Sequence, residues 1–181
     1  MPNAVVGTLV FLGAETMLFG GLVSVLIVLR AGAPTWPPAD QPRLPILITA
    51  INTIVLIGSA FSMARAANGA RRGHARELRR WLIVTALGGV TFLVVQGTEW
   101  LRLLHYGLSA TATTYGGTFY TLIGVHAVHV LGGVAVLLAV LRESLRGRYS
   151  TRTYGPVEAC RLYWSFVVAV WPVLYVLVYA I

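Results

Sequence analysis

A single cysteine, Cys160, no lysine at all and only six acidic residues mark this chain, and charged residues of either sign make up just 11% of it. One thiol excludes an internal disulfide and any metal site built on a cysteine cluster, and Cys160 reads as a small buried apolar residue. Soluble domains carry about 25% charged residues, so this chain has too little charge to solvate a surface all round. The sequence also lacks a Gly-rich phosphate loop, a Cys-x-x-Cys pair, a convincing Ser-His-Asp order and a set of imidazoles placed to face one another across helices. No fixed-period repeat or low-complexity tract is present. Nothing in the inventory supports redox chemistry by the chain alone.

What is there is oil. Apolar residues make up 57% of the chain, with a mean hydropathy of +0.76, which points to burial in a bilayer. Five apolar blocks, at about 5–29, 44–64, 81–100, 117–141 and 162–181, each approach the ~20 residues a helix needs to cross a membrane. Their periodicity is weak, because a lipid-facing helix is apolar on nearly every side, so length decides. The expected fold is all-α: a polytopic membrane bundle of five transmembrane helices in a single domain over 1–181. The first block carries an acid and follows no basic segment, so it is expected to stay in the mature protein.

The connections read as loops. Pro34, Pro37 and Pro38 cannot continue a helix. Segments 65–80 and 142–161 are charged, and 106–116 is rich in Ser, Thr and Gly. The net charge of +8 comes entirely from arginine, and its placement indicates topology, not a nucleic-acid surface. Arg65, Arg71, Arg72, Arg76, Arg79 and Arg80 fall in the second connection, and Arg142, Arg146, Arg148, Arg152 and Arg161 in the fourth. Arg30, Arg43 and Arg102 fall on the other side. Arginine gathers on the cytoplasmic side, which places the N-terminus inside and the C-terminus outside. Trp36, Trp81, Trp100, Tyr106 and Tyr149 lie near block boundaries, where amphipathic rings favour the interface.

A few polar residues lie within the blocks. Glu15 falls near the middle of the first, where a carboxyl group costs ~2.5–3.5 kcal/mol on insertion scales and is usually tied to function. It is either a proton-active or partner-facing acid or a protonated hydrogen bond that fixes packing. His126 and His129 share one face of the fourth block. With Glu15 they make a thin candidate for a metal site, since di-iron bundles use more carboxylates than this chain offers at that depth. Hydrogen-bonded packing is the competing reading. Gln96, Glu99, Arg102 and His105 form a strip winding toward the outer interface, where Glu99 and Arg102 can pair. Asn52, Ser59 and Ser62 are interhelical hydrogen-bonding candidates. The glycine pairs 20/21, 88/89 and 132/133 permit close helix approach, and Pro172 is expected to bend the fifth span or interrupt its ladder.

Beyond these local readings, the stretch Tyr115-Gly116-Gly117-Thr118-Phe119-Tyr120, continued by Gly124-Val125-His126-Ala127-Val128-His129-Val130-Leu131-Gly132-Gly133, resembles a specific pattern. It is the Gly-x-x-Phe-(Phe or Tyr) and Gly-x-His-x-x-His-Val-x-x-Gly pattern of subunit III of the haem-copper respiratory oxidases, in its short five-helix form. Gly13-Ala14-Glu15-Thr16-Met17-Leu18-Phe19-Gly20-Gly21-Leu22 is similar to the segment bearing that family's carbodiimide-reactive glutamate. Trp36-Pro37-Pro38, Asn52-Thr53 and Gln96-Gly97-Thr98-Glu99-Trp100 follow in the family's order. The last span departs: Ser165 and Ala169 stand where the family has His and Asp.

The resemblance implies a helical bundle split by a lipid-filled cleft and packed on the catalytic subunit I, with subunit II and others in the complex. Subunit I holds the haems and copper, reduces oxygen and pumps protons. This chain would hold no catalytic, cofactor or metal residue of its own, only structural phospholipid. It would sustain proton uptake and protect the catalytic subunit. Glu15 is the matched acid. His126, His129 and Glu99 are matched structural polar residues, beside Gln96, Arg102 and Asn52, and the arginine loops meet anionic headgroups of the bacterial cytoplasmic membrane. An accessory subunit of a quinol oxidase or nitric oxide reductase stays open, since the electron donor binds elsewhere. Rivals of other classes are a haem-binding membrane anchor using His126 or His129, and a small proton-coupled transporter using Glu15.

Overall fold

A computed structural model describes residues 3–38, 44–111 and 113–180. Arg43 and Ile181, used above to count charge and to bound the last span, lie outside the described residues. Five α-helices follow one another: α1 (Asn3–Gly32), α2 (Ile46–Arg71), α3 (Ala75–His105), α4 (Thr114–Leu145) and α5 (Gly155–Tyr175), the last widening into a π-helical turn at Val176–Ala180. All five are long and apolar enough to cross a membrane, and no strand occurs among the described residues. The chain is an integral membrane helix bundle.

The helices outrun the apolar blocks, and this corrects the reading of the connections. Segment 65–80 is almost entirely helical, with only Arg72, Gly73 and His74 between α2 and α3. Arginine is a good helix former, so its charge ends the membrane span without ending the helix. A left-handed glycine ends the helix instead. Gly73, at φ 74°, turns the chain, while the amide of His74 donates to Gly69 O at 2.8 Å. Gly107 and Gly147 do the same after α3 and α4, with Leu108 donating to Leu103 O and Arg148 to Glu143 O. This is the Schellman ending, in which only glycine takes the turn residue's backbone without strain. Thr113 caps α4 by accepting from the Gly116 amide at 3.1 Å. Gly155-Pro156 opens α5 where it was expected to lie in a loop, because proline needs no amide partner in a first turn. Pro172 is taken into α5, and the helix changes register only after Tyr175.

The core lies among α2 to α5. Gly88 and Gly89 bring α3 close to its neighbours: a Cβ on Gly88 would fall 2.9 Å from the Ser59 Cβ, and one on Gly89 2.6 Å from the Trp164 ring. A Cβ on Gly133 would fall 2.9 Å from that same ring. The indoles of Trp164 and Trp171 donate to Ser59 Oγ at 3.0 Å and Thr53 Oγ1 at 2.8 Å, tying α5 to α2. The pair 20/21 breaks the expectation, since nothing lies within 4 Å of a Cβ on either glycine.

α1 rides on the outside, mainly against α5 and more sparsely against α4. Its buried residues are Val5, Phe19 and Leu26, and its partly buried ones include Thr8, Leu12, Glu15 and Leu22. Val5, Leu12, Phe19 and Leu26 recur every seven positions, as do Thr8, Glu15 and Leu22. This is the two-row seam by which one helix lies along another. Gly20 and Gly21 fall off that seam, which explains their open surroundings.

Candidate functional site

Glu15 occupies a position in the α1 seam that apolar packing would give to a leucine. The seam aims it at α4, where its Oε2 lies 2.7 Å from His129 Nε2. The side chains are only 12% and 14% exposed, so the contact is largely shielded from what surrounds the bundle. The other ring nitrogen, His129 Nδ1, lies 2.7 Å from Val125 O. A carbonyl oxygen can only accept, so the hydrogen-bond network assigns a proton to Nδ1. A contact between Nε2 and Oε2 then needs one further proton, either on the carboxyl group or on the ring. Both arrangements are neutral overall: carboxylic acid with imidazole, or carboxylate with imidazolium. The pair therefore shares one proton at mid-span without net charge.

The surroundings hold this geometry. Phe19, one turn beyond Glu15, sets its ring edge against His129 at a centroid distance of 5.1 Å. From α5, the Tyr163 hydroxyl donates to His129 O at 3.1 Å. Tyr163 also lines an apolar groove of about 630 Å³ between α1, α4 and α5, whose walls include Gly7, Phe11, Gly132, Val136 and Pro156. The groove occupies the half of the bundle toward which α1 begins and α4 ends. Along α1 its walls run from Ala4 to Phe11, one turn short of Glu15.

The other sequence candidates are placed as follows. His126 turns away from Glu15, stacking on Trp171 at 4.9 Å and meeting the edge of Phe92 at 6.2 Å. The two histidines share an element but not a site, and among the described residues no three His, Cys, Asp or Glu side chains gather to hold a metal ion. Gln96 Nε2 donates to the Tyr179 hydroxyl at 2.9 Å, and Arg102 donates to the buried Glu99 at 2.8 Å. His105 stays outside this strip, exposed beside Tyr106. Asn52 Nδ2 donates to Phe92 O at 3.1 Å, joining α2 to α3, and Ser62 meets Thr85 at 2.8 Å.

One polar cluster escaped the sequence reading. Glu158 Oε1 accepts from Arg71 at 2.8 Å and from Arg161 at 2.6 Å, and Arg79 donates to Ser144 O at 3.1 Å. These bonds draw the arginine-rich ends of α2, α3, α4 and α5 together at one end of the bundle. Arg65 and Arg80 lie over the Trp81 ring at 5.6 and 5.7 Å. Burial, with the nearby Glu143 carboxylate adding to it, pushes the Tyr149 phenol in the α4–α5 connection up from its ordinary value. Glu158 and Arg161, three residues apart, were visible in the sequence, but the packing that brings Arg71 to them was not.

Fold and site together define a membrane-embedded helical bundle whose intramembrane acid meets an imidazole from a neighbouring helix. The family model described as cytochrome c oxidase subunit III matches residues 4–181. The chain is 37% identical over 174 residues to cytochrome c oxidase subunit 3 of Synechocystis sp., covering 96% of this chain and 73% of that protein. It is 34% identical over 182 residues to the probable cytochrome c oxidase subunit 3 of Mycobacterium leprae, covering 99% and 89%. Against cytochrome c oxidase subunit 3 of Thermostichus vulcanus it is 34% identical over 176 residues, covering 97% and 86%. The chain belongs to the cytochrome c oxidase subunit III family.

Proposed function

We propose that this chain serves its oxidase as an attendant and not as a catalyst: it packs against the subunit that holds haem and copper and keeps proton delivery to that subunit efficient. The names of its relatives favour cytochrome c as the donor to the complex. The observation that carries the proton reading is the 2.7 Å contact between Glu15 and His129. A neutral pair sharing one proton can hold that proton on either partner at mid-depth without placing a net charge in the membrane. The apolar groove ending at Tyr163 suits phospholipid acyl chains, and lipid there would keep water from the pair.

Orientation follows from charge. The arginine-rich end, drawn together by Glu158, faces the cytoplasm and its anionic headgroups, in the cytoplasmic membrane of a bacterium. That places the groove in the inner half of the bilayer, on the side from which protons are taken up.

The test is Glu15→Gln in the purified complex. The glutamine amide can donate to the bare His129 nitrogen, so assembly and the initial rate of oxygen reduction are expected to stay near native. Proton uptake is expected to slow, or activity to decay faster during turnover. A correctly assembled complex that had lost its haems, or one indistinguishable from native through prolonged turnover, would overturn the reading. Copurification in mild detergent checks the partner: a haem-copper subunit should accompany the chain.

A further inference from the structure

The arginine-rich end holds more positive charge than its carboxylates can meet. Glu158 binds Arg71 and Arg161, Glu143 binds Arg146 and Arg148, and Glu77 lies against His74. Arg65 of α2 and Arg80 of α3 have no carboxylate partner among the described residues. Both nevertheless meet at one ring, with their guanidinium carbons 5.6 and 5.7 Å from the centre of the Trp81 indole. The ring attracts each cation, but the two cations repel each other. An anion received by both would turn that repulsion into attraction. Both arginines are exposed, so their donors face outward, and a planar guanidinium offers phosphate a bidentate edge.

Depth narrows the source of the anion. Arg65 directly follows the apolar block 44–64 and Arg80 directly precedes the block 81–100, so they meet where hydrocarbon gives way to headgroups. Each arginine heads a row of exposed apolar residues on its own helix face. Phe61 and Ile54 continue the Arg65 face of α2, and Val84 and Leu87 continue the Arg80 face of α3. Free phosphate would leave those rows unused. A phospholipid covers both features, with its phosphate at the arginines and its acyl chains along the rows. A zwitterionic headgroup would bring its own ammonium beside two guanidinium groups, whereas an anionic one would not, so charge complementarity selects the anionic lipid.

We propose that Arg65, Arg80 and Trp81 form a seat for one anionic phospholipid of the inner leaflet, its phosphate held between the two guanidinium groups and its acyl chains lying along α2 and α3. These helices do not line the groove beside α1, so the seat is separate from it. The proposal rests on the reading that the arginine-rich end faces anionic headgroups, and gives that diffuse attraction one defined contact. It does not depend on the proton reading.

Photolabelling of the complex in phosphatidylcholine vesicles tests the proposal. Phosphatidylglycerol and phosphatidylcholine carrying the same diazirine acyl chain are compared as tracers, with labelled peptides mapped by mass spectrometry. Phosphatidylglycerol is expected to label 54–65 and 80–87 about fivefold more strongly, the equivalent of the ~1 kcal/mol that one basic residue contributes near an anionic surface. Arg65→Gln with Arg80→Gln should bring phosphatidylglycerol down to the phosphatidylcholine level. Phosphatidylcholine labelling should itself stay unchanged, which shows that the helix faces are still in place. Arg72→Gln with Arg152→Gln removes the same charge from the same end without touching Trp81, and should leave the preference intact. Equal loss of preference in both double variants would mean diffuse charge and no seat, overturning the proposal while sparing the reading of the arginine-rich end. Displacement of the label by added inorganic phosphate would make this a site for a free anion and overturns the proposal as well. So does labelling by neither lipid, as when acidic side chains of a neighbouring subunit cover the arginines.

Discussion

At the scale of single residues, the Glu15–His129 pair makes each partner necessary to the other. Replacing His129 by Phe removes the nitrogen that Glu15 needs and leaves a buried carboxyl group unsatisfied. A loss of roughly 1–3 kcal/mol is expected, read as a lower melting temperature of the complex in detergent. Adding Glu15→Leu should recover most of that loss, because replacing both partners by apolar groups of similar shape can be nearly neutral. If the double variant melts no higher than His129→Phe, the pair is not what stabilises this contact. The sequence made Glu15 conspicuous by its depth. Its partner stands 114 positions away, on a helix whose rotation about its own axis no local pattern records. His129 and His126 looked equivalent in the sequence, and three-dimensional packing separates them into different sites.

At the scale of helices, the sequence announced the five elements through the length of their apolar blocks, but not the faces they use. The reason is physical. In α1 the exposed Val10, Met17 and Val28 are as apolar as the buried Val5, Phe19 and Leu26, so the seven-residue seam is hidden among equals. Within 65–80 and 142–161 charge marks the end of the membrane span but not of the helix, which Gly73 and Gly147 end; the Ser-, Thr- and Gly-rich connection after α3 does begin where the sequence puts it, at Tyr106 and Gly107. The glycines also give a paired prediction. Gly89→Ala puts a methyl group 2.6 Å from the Trp164 ring, and overpacking of this kind typically costs about 1–3 kcal/mol. Gly20→Ala meets open space, so its effect should stay within about 0.5 kcal/mol. Thermal unfolding of the two variants side by side measures the difference. Equal melting temperatures would show that the close approach of α3 to α5 is not rigid.

At the scale of the whole molecule, the bundle is polarised. Eleven of the arginines fall within 65–80 and 142–161, at the end where Glu158 joins α2 to α5. The native thiol is buried, so a Cys160→Ser background permits clean labelling of introduced cysteines. Arg152→Cys is expected to react with a membrane-impermeant maleimide only after the cells are opened. Thr111→Cys, beyond α3, should react in intact cells. The reverse pattern would invert the topology and with it the leaflet that the groove beside α1 faces. The arginine count made this polarity legible at once, because positive charge is read by loop and needs no knowledge of packing. The groove itself was not legible, since it arises from how far α1 stands off from α4.

That Glu15 of α1 meets its partner only on α4 also bears on how the protein is made. Translation at roughly 5–20 residues per second takes on the order of 6–23 s to advance the 114 positions from Glu15 to His129. For that interval the nascent first helix holds an unmatched acid in the insertion machinery or the lipid, so its docking belongs to the closing steps of biogenesis.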